Sequence, residues 1–361
     1  MSTETPLAPA GATRATGADP VRTQRRLPRF AAVGLFLGGL VVGALLSALT
    51  GFSLVLAVVY GVVLGTLAVY VVSRAVEGRR KATDRLVTSL VTTAFAIAMV
   101  PLLSLVYTVL DKGLPRLDGA FFSNSMYRVV GEGGGAYHAI LGTVIITALA
   151  TVISVPIGLM TAIYLVEYGT GKLKRAITFF VDVMTGIPSI VAGLFSFALF
   201  TLLFGNSVRL GIMGAVALSV LMIPVVVRSC EEVLKLVPNE LREASYALGV
   251  PKWRTVVRVV LPTAIAGLGT GITLSVARVV GETAPLLVTV GLITSTNFNP
   301  FDGRMATLPV FAYFQLTQPG TATQAFIDRA WTAALVLIIL VMALNIVARL
   351  ISRFFAPKTG H

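Results

Sequence analysis

The chain has 361 residues, a mean hydropathy of +0.88 and charged residues at only 12% of positions. Several apolar runs reach the roughly 20 residues that cross a bilayer, so we predict an all-α polytopic membrane protein. The net charge of +13 would suit a nucleic-acid partner, but the basic residues flank apolar runs without interleaved aromatics, which excludes that class. One cysteine, Cys230, excludes an internal disulfide, and two distant histidines argue against a metal cluster. Neither a metal nor a cofactor is predicted.

The N-terminal part is predicted to be a tail followed by an extra transmembrane hairpin. Residues 1–29 are rich in Ala, Thr, Pro and Gly with five arginines, a composition typical of a disordered cytoplasmic tail. Apolar runs at 30–50 and 52–72 predict two spans joined by a turn at Gly51. The first run is longer than the roughly 7 to 15 residues of a secretory signal core. Basic residues after the second run place both ends of this hairpin, residues 30–85, in the cytoplasm.

Six more spans are predicted in the rest of the chain. The third span contains Pro101, and a basic loop with Lys172, Lys174 and Arg175 follows the fourth. Loops without a basic excess, including a short turn near Asn206, are assigned outside, so all eight spans obey the positive-inside rule and both termini are cytoplasmic. The six spans cover 86–110, 138–165, 179–204, 210–227, 263–294 and 331–350, with polar stretches 111–137 and 295–329 outside.

The run GTGKL, which ends at Leu173, invites comparison with a phosphate-binding P-loop, but two positions do not fit. The P-loop spacing requires Gly where Val166 stands, and Ser or Thr where Leu173 stands. We therefore predict no nucleotide site in this chain, so that a partner must supply ATP hydrolysis. No nucleophile–base pair or pair of carboxylates at catalytic spacing is evident either, which argues against an enzyme.

The predicted fifth span contains the motif TGIPSIVAGLF, which begins at Thr185. Pro188 removes a backbone donor and clashes with the preceding turn, so the helix should kink and expose a carbonyl near Met184. Gly186 and Gly193 would permit close helix contact. The motif is either a packing kink in a membrane helix or a gate element beside a pathway.

A second motif, ARVVGETAPLL, places charges deep in the predicted seventh span. Arg278 and Glu282 are four residues apart, so on a helix they share one face, which continues back through Ser275, Gly271 and Gly267. A stripe of small and charged residues is ill suited to lipid. The two charges form either an intrahelical ion pair or part of a substrate path or gate, in which arginine would offer forked donors to an oxyanion.

Between the sixth and seventh spans, residues 231–262 carry a helix–Gly–helix pattern that we name the knuckle. Asn239 is a candidate cap for a first helix that Gly249 would end, and Pro251 suits the start of a second helix. Three apolar residues recur at helical spacing on the first helix and form a small face that needs a partner. They are Leu241, Ala244 and Leu248. An amphipathic connector resting on its own bundle would show the same periodicity.

The knuckle resembles the EAA loop of bacterial ABC importer permeases. That pattern is Glu-Ala-Ala, three residues, Gly, nine residues, then Ile-x-Leu-Pro. In this chain it is formed by Glu243, Ala244, Ser245, Gly249, Val259, Leu261 and Pro262. Ser245 and Val259 depart from the pattern. Three further stretches, GIPSIVAGLF, ARVVGETAPLL and GRMATLPVFAYF, are similar to permeases of the phosphate-specific importer, the last more to the A-type than to the C-type subunit.

The resemblance covers residues 86–361 and implies a type I ABC importer permease core of six helices, to which the N-terminal hairpin is an addition. It implies transport of inorganic phosphate across the bacterial plasma membrane, with the knuckle docked on a cytoplasmic ATPase dimer. A second, C-type permease and an extracytoplasmic phosphate-binding protein complete the implied assembly. On this interpretation the substrate path or gate includes Thr185, Pro188, Ser275, Arg278 and Glu282.

Several alternatives stay open at this stage. Within the ABC class, the chain could be a C-type subunit or a permease for another oxyanion. In a different class, a secondary transporter would carry internal repeats and broken helices, and we find no convincing repeat. A membrane anchor would need neither a knuckle nor a charged stripe. Co-purification of an ATPase would separate these classes.

Overall fold

The computed structural model describes residues 27–28, 30–49, 51, 53–205 and 208–355, with only the backbone described for Ala348 and residues 351–355. Most of the predicted tail, the turn at Asn206 and the C-terminal residues 356–361 lie outside this part. Within it the chain is helical and contains no strand, which confirms the all-α prediction. It divides into two compact units, Met1–Ser104 and Leu105–His361.

The helices are α1 Ala31–Leu49, α2 Leu54–Glu77, α3 Arg79–Gly113, α4 Gly119–Ser123, α5 Tyr137–Ile163, α6 Gly171–Thr185, α7 Ser189–Phe204, α8 Gly211–Lys235, α9 Asn239–Ala247, α10 Lys252–Thr255, α11 Leu261–Val280, α12 Ala284–Thr289, α13 Leu308–Thr317 and α14 Thr323–Phe355.

In the first unit, α1 and α2 form the predicted hairpin, and glycines let their backbones meet. A Cβ atom added to Gly39 would lie 2.3 Å from the Cα of Gly65, and one added to Gly43 would lie 2.5 Å from the Cα of Gly61. Contacts this close require residues without side chains. Gly51 turns the chain at φ +86°, a conformation that glycine adopts at little cost.

The helices of the first unit extend beyond the predicted spans. α2 continues to Glu77 and α3 begins at Arg79, so only Gly78, at φ +90°, separates them. Hydropathy locates the apolar part of a helix, whereas Lys and Arg are good helix formers that carry it into water. The buried carboxylate of Glu77 accepts a hydrogen bond from the Leu27 amide (2.8 Å) and pairs with Arg85 (2.8 Å).

The second unit is built around α8, which is buried along most of its length. Met222, Val226 and Leu234 of α8 are inaccessible to solvent and share one apolar core with residues of α5 and α11. At its first turn, the Ile212 amide donates to the Pro300 carbonyl (2.8 Å), and at its last turn the chain enters the knuckle. The knuckle and the loop around Pro300 therefore lie at opposite ends of this unit.

Eight spans fit the structure only if a broken pair of helices counts as one of them. Among the residues that the structure describes, seven helices are long and apolar enough to cross a membrane, and α6 with α7 forms an eighth candidate that is bent by 106°. Proline lacks the amide proton that a continuous helix would need, and Pro188 precedes the first residue of α7. The predicted kink is thus a complete break. The Met184 carbonyl has a donor at this break, because it accepts a hydrogen bond from the Ile187 amide (3.3 Å).

The basic residues predicted as a loop after the fourth span belong to a helix. Lys172, Lys174 and Arg175 lie in the first turns of α6, which begins at Gly171 (φ +66°). The connection that remains is short, because a π turn, Tyr164–Tyr168, continues α5 almost to that glycine. The charged residues therefore do not mark the end of helical structure.

The predicted seventh span and the stretch after it also need correction. One helix runs from Lys252 to Val280 through a π turn, Val256–Val260, and so starts before Pro262 and ends well before residue 294. Residues 305–311 were predicted in a polar outer stretch but are all buried. A Cβ atom at Gly142 would lie 2.0 Å from the Ala306 carbonyl oxygen, so this glycine makes room for the returning chain.

Candidate functional site

The knuckle has the predicted helix–Gly–helix structure. Gly249 ends α9 at φ +73°, its amide donates to the Tyr246 carbonyl (2.9 Å), and the next amide, of Val250, donates to the Ser245 carbonyl (3.2 Å). These two bonds form a Schellman motif, which satisfies carbonyls at a helix end. The predicted cap is wrong: Pro238 occupies the cap position, and the Asn239 side chain accepts from Arg242 (3.2 Å) instead.

The apolar face of α9 is open to solvent in the isolated chain. Leu241 is 41% exposed and Leu248 is 83% exposed, and Ala244 and Glu243 are exposed beside them. We name Leu241, Ala244 and Leu248 the coupling face. Two other residues of the family pattern lie elsewhere: Leu261 packs against the main apolar core at the start of α11, and Pro262 is in the first turn of that helix. They support the knuckle but do not extend its coupling face.

A buried ion pair fixes the knuckle to the transmembrane helices. Arg242 donates to Glu167 through Nε (3.0 Å) and Nη2 (2.8 Å), and it also donates to the carbonyls of Val237 (2.6 Å) and Leu234 (3.0 Å). The Glu167 side chain is only 4% exposed. Removing one partner of such a pair typically costs about 3 to 5 kcal/mol. The sequence did not predict this pair, because its members are 75 residues apart.

The two short helices of the knuckle are joined by a buried pair of hydroxyl groups. Ser245 Oγ lies 2.8 Å from Thr255 Oγ1, and both side chains are buried. Ser245 is one of the two departures from the family pattern, in which Ala stands at this position. The departure therefore has a structural reason.

We expect Ser245→Ala to lower the stability of the knuckle even though it restores the alanine of the family pattern. The Thr255 hydroxyl would keep only a weak contact with the Pro251 carbonyl at 3.5 Å, and a buried hydroxyl without a good partner costs about 1 to 3 kcal/mol. Thermal unfolding of the purified chain measures the effect. The double variant Ser245→Ala with Thr255→Val is the control, since it removes both hydroxyls and should recover part of the loss. A double variant less stable than the single one would contradict this account.

The second feature is a cavity of about 220 Å³ where two helix breaks meet. The break between α6 and α7 contributes Thr185 and Ser189, and the end of α11 contributes Arg278 and Glu282. We name this space the break cavity. Its apolar walls are Met184, Ile187, Leu221, Val225 and Val279. Because one water occupies about 30 Å³ in the liquid, the cavity has room for a small hydrated oxyanion.

Arg278 and Glu282 both line the cavity, but they do not lie on one face of the same helix. α11 ends at Val280, and Glu282 follows in the break before α12. Among the described residues no ion pair joins Arg278 to an acidic group, so the intrahelical pair considered from the sequence is absent. The Arg278 side chain is exposed. Pro285 lies in the first turn of α12, where its missing amide proton is not needed.

Ser275, which was predicted on the path, is not among the residues that line this cavity. Its side chain is fully buried, and its hydroxyl donates to the Gly271 carbonyl of the same helix (2.8 Å). A Cβ atom at Gly271 would lie 2.9 Å from the Cβ of Ser229 in α8. The stripe of small residues is therefore a packing seam between α11 and α8.

The other residues of the motif that begins at Thr185 lie at or close to the break between α6 and α7. Pro188 is exposed and caps α7, and the Thr185 hydroxyl donates to the Val181 carbonyl (2.8 Å). Gly193 has the predicted close contact, since a Cβ atom there would lie 2.6 Å from the Cα of Pro285. Gly186 has no such contact with another helix. This contact holds α7 against α12, the short helix that follows Glu282 and the break after α11.

A charge network missed by the sequence reading ties α6 to α8. Arg228 of α8 pairs with Asp182 of α6 and with Glu231 (2.8 Å), and Glu231 pairs in turn with Lys235 (2.7 Å). Glu231 is buried and Asp182 is exposed. The network therefore holds α6 to α8, although the chain between α6 and α7 is completely broken as a helix.

The comparisons with known proteins agree with this architecture. A family model described as binding-protein-dependent transport system inner membrane component matches residues 154–361. The phosphate transport system permease protein PstA 1 of Mycobacterium tuberculosis strain H37Rv is 48% identical over 291 residues, covering 80% of this chain and 93% of that protein. The protein PstA of Pasteurella multocida is 38% identical, covering 78% of this chain and 97% of its own length.

Solved structures give the same fold at much lower identity. A chain of the bacterial alginate ABC transporter, solved in complex with an alginate pentasaccharide-bound periplasmic protein, superimposes with a TM-score of 0.54 at 12% identity. The match covers 77% of this chain and 97% of that chain. At this identity the likeness concerns the fold alone.

Proposed function

The chain belongs to the family of binding-protein-dependent transport system inner membrane components, and from this premise we propose that it is the A-type permease subunit of an ATP-driven importer of inorganic phosphate. The proposal rests mainly on the sequence identity of 48% between this chain and a phosphate transport permease, in an alignment that covers 93% of that permease. The break cavity supports it, because its arginine lacks an acidic partner among the described residues. The chain is a transporter component, not a catalytic enzyme.

The complete transporter needs partners for energy, for the second half of the path and for delivery of phosphate. A cytoplasmic ATPase dimer would bind the coupling face, and a C-type permease would face the exposed Arg278 across a shared path. An extracytoplasmic binding protein would deliver phosphate. The positive-inside rule supports a cytoplasmic position for the knuckle and for both termini, where a cytoplasmic ATPase could bind.

The chemistry of the break cavity follows from the charge of its ligand. A phosphate ion that leaves water for a low-dielectric constriction needs compensating positive charge, and a guanidinium offers several donors in a fixed fork that matches oxyanion geometry. Thr185 and Ser189 add hydroxyl groups at the same cavity. Glu282 lines the same cavity and would repel an anion that reaches it, so that the two residues together would form a selective constriction.

The decisive test combines co-purification with transport. Extraction in mild detergent should recover this chain with an ATPase and a second permease, and proteoliposomes of that complex should take up phosphate when binding protein and ATP are supplied. Uptake of sulfate or molybdate in place of phosphate would indicate another oxyanion. Uptake driven by an ion gradient without an ATPase would support a secondary transporter, and a complex without transport would support a membrane anchor.

We expect the N-terminal hairpin to be dispensable for transport. α1 and α2 pack on each other through glycine contacts within the first unit, and the family model begins only at residue 154. A chain that lacks residues 1–77 should reach lower levels in the membrane yet retain most of its phosphate uptake per assembled complex. Uptake normalised to the co-purified ATPase measures this. Complete loss of uptake by an assembled truncated complex would assign the hairpin a direct role.

A further inference from the structure

Two phenylalanines project from the end of the second unit that lies opposite the knuckle. Phe298 and Phe301 are each 64% exposed and lie in the loop of residues 297–304, between α12 and α13. The sequence reading assigned this loop only to a polar outer stretch. Aromatic side chains contribute much of the binding energy at protein interfaces, and a pair of them exposed on one short loop indicates a surface that another molecule covers.

The backbone of this loop is held in one conformation by two asparagines. The Asn297 side chain donates to the carbonyls of Asp302 (2.7 Å) and Arg304 (3.0 Å) and accepts from the Asn299 amide (2.8 Å). The Asn299 side chain accepts in turn from the Phe301 amide (3.0 Å). A loop that is already ordered loses little entropy when it binds a partner, so its exposed side chains can contribute most of their contact energy.

The same loop is fixed to the transmembrane core. The Pro300 carbonyl accepts from the Ile212 amide at the first turn of α8 (2.8 Å), and a Cβ atom at Gly211 would lie 3.0 Å from the Cα of Pro300. Residues 305–311, which follow the loop directly, are all buried. The two phenylalanines are therefore presented by a rigid base.

We propose that the 297–304 loop is the docking surface for the extracytoplasmic binding protein, with Phe298 and Phe301 as its anchors. The inference rests on the proposed function, and the family description itself names dependence on a binding protein. Exposed polar and charged residues lie on the same loop as the two rings, namely Asn299, Asp302 and Arg304. An apolar centre with a polar rim is typical of protein interfaces, whereas the same charges would be unfavourable among lipid chains.

The position of the loop also connects docking to the break cavity. The loop follows α12, which begins two residues after Glu282 and is locked to α7 by the contact between Gly193 and Pro285. A binding protein that pulls or presses on the loop therefore acts on a short helix at the edge of the cavity. Because the loop and the break cavity are rigidly connected, binding at the loop can shift the equilibrium between the states of a gate at the cavity.

The experiment uses the complete importer, with its partner permease and ATPase, in lipid nanodiscs. ATP hydrolysis is measured while purified phosphate-bound binding protein is titrated, for the wild type and for the double variant Phe298→Ser with Phe301→Ser. We expect the half-saturating concentration to rise roughly tenfold or more, as for the loss of hot-spot side chains, with unchanged hydrolysis in the absence of binding protein. The control is Tyr127→Ser, which removes an aromatic side chain of 56% exposure from a different loop.

Each outcome decides between the possible occupants of the surface. An unchanged half-saturating concentration, or an equal rise in the Tyr127→Ser control, would overturn the proposal. A photo-crosslinking residue placed at position 298 should capture the binding protein, and capture of the partner permease or of lipid alone would likewise overturn it. A wild-type complex that hydrolyses ATP without any response to binding protein would instead contradict the proposed function, which keeps the two failures distinct.

Discussion

Phosphate uptake is expected to fall roughly a hundredfold or more in the variant Arg278→Ala, while the ATPase stays bound. Arg278 lies in the last turn of α11 and lines the break cavity, where a phosphate ion would lose part of its hydration. An uncompensated charge within the membrane costs about 2.5 to 3.5 kcal/mol on insertion scales, and each 1.4 kcal/mol corresponds to about tenfold. The loss of this one guanidinium should therefore remove most of the transport rate.

The shape of the guanidinium matters in addition to its charge. Arg278→Lys keeps the positive charge but not the forked donors, so we expect partial uptake between those of the wild type and the alanine variant. Arg80→Ala is the matched control, because it removes an exposed arginine from the first turn of α3 that does not line the break cavity. Uptake of labelled phosphate, divided by co-purified ATPase, measures all three. Wild-type uptake by an assembled Arg278→Ala complex would reduce this residue to a structural role.

The sequence predicted those features that depend on neighbouring residues. Gly249 ends a helix because glycine adopts a positive φ at little cost, and that preference is visible in the spacing of the knuckle. Pro188 and Gly186 indicated a disturbance of the fifth span for a similar local reason. The size of that disturbance, a bend of 106°, depends on what α6 and α7 pack against and so could not be predicted from the motif.

Contacts between distant parts of the chain account for what the sequence did not predict. Arg242 and Glu167 form a buried ion pair across 75 residues, and the residue types alone do not identify either partner. Glu282 was placed on a helix by its spacing from Arg278, but α11 ends at Val280 and the next helix begins only at Ala284. Ser275 has the small polar side chain expected of a path residue, yet it is fully buried and its hydroxyl donates to the Gly271 carbonyl of its own helix.

Coupling to the ATPase is expected to fail in the variant Gly249→Val. Gly249 has φ +73°, a region that costs roughly 1 to 2 kcal/mol for residues with a Cβ atom and is an outlier for β-branched ones. A Cβ atom there would meet nothing within 4 Å, so the cost is conformational and not steric. The Schellman bonds to Tyr246 and Ser245 would be lost, and with them the angle at which α9 presents the coupling face.

We therefore expect Gly249→Val to insert normally but to retain roughly a tenth or less of the co-purified ATPase and of phosphate uptake, since about 1.4 kcal/mol is tenfold. Gly249→Asn should retain most of both, because asparagine tolerates the left-handed region better than other residues with side chains. Gly119→Val is the matched control: that glycine also has open space around it but does not adopt a positive φ. Equal ATPase retention by the valine and asparagine variants would show that the left-handed turn does not position the coupling face.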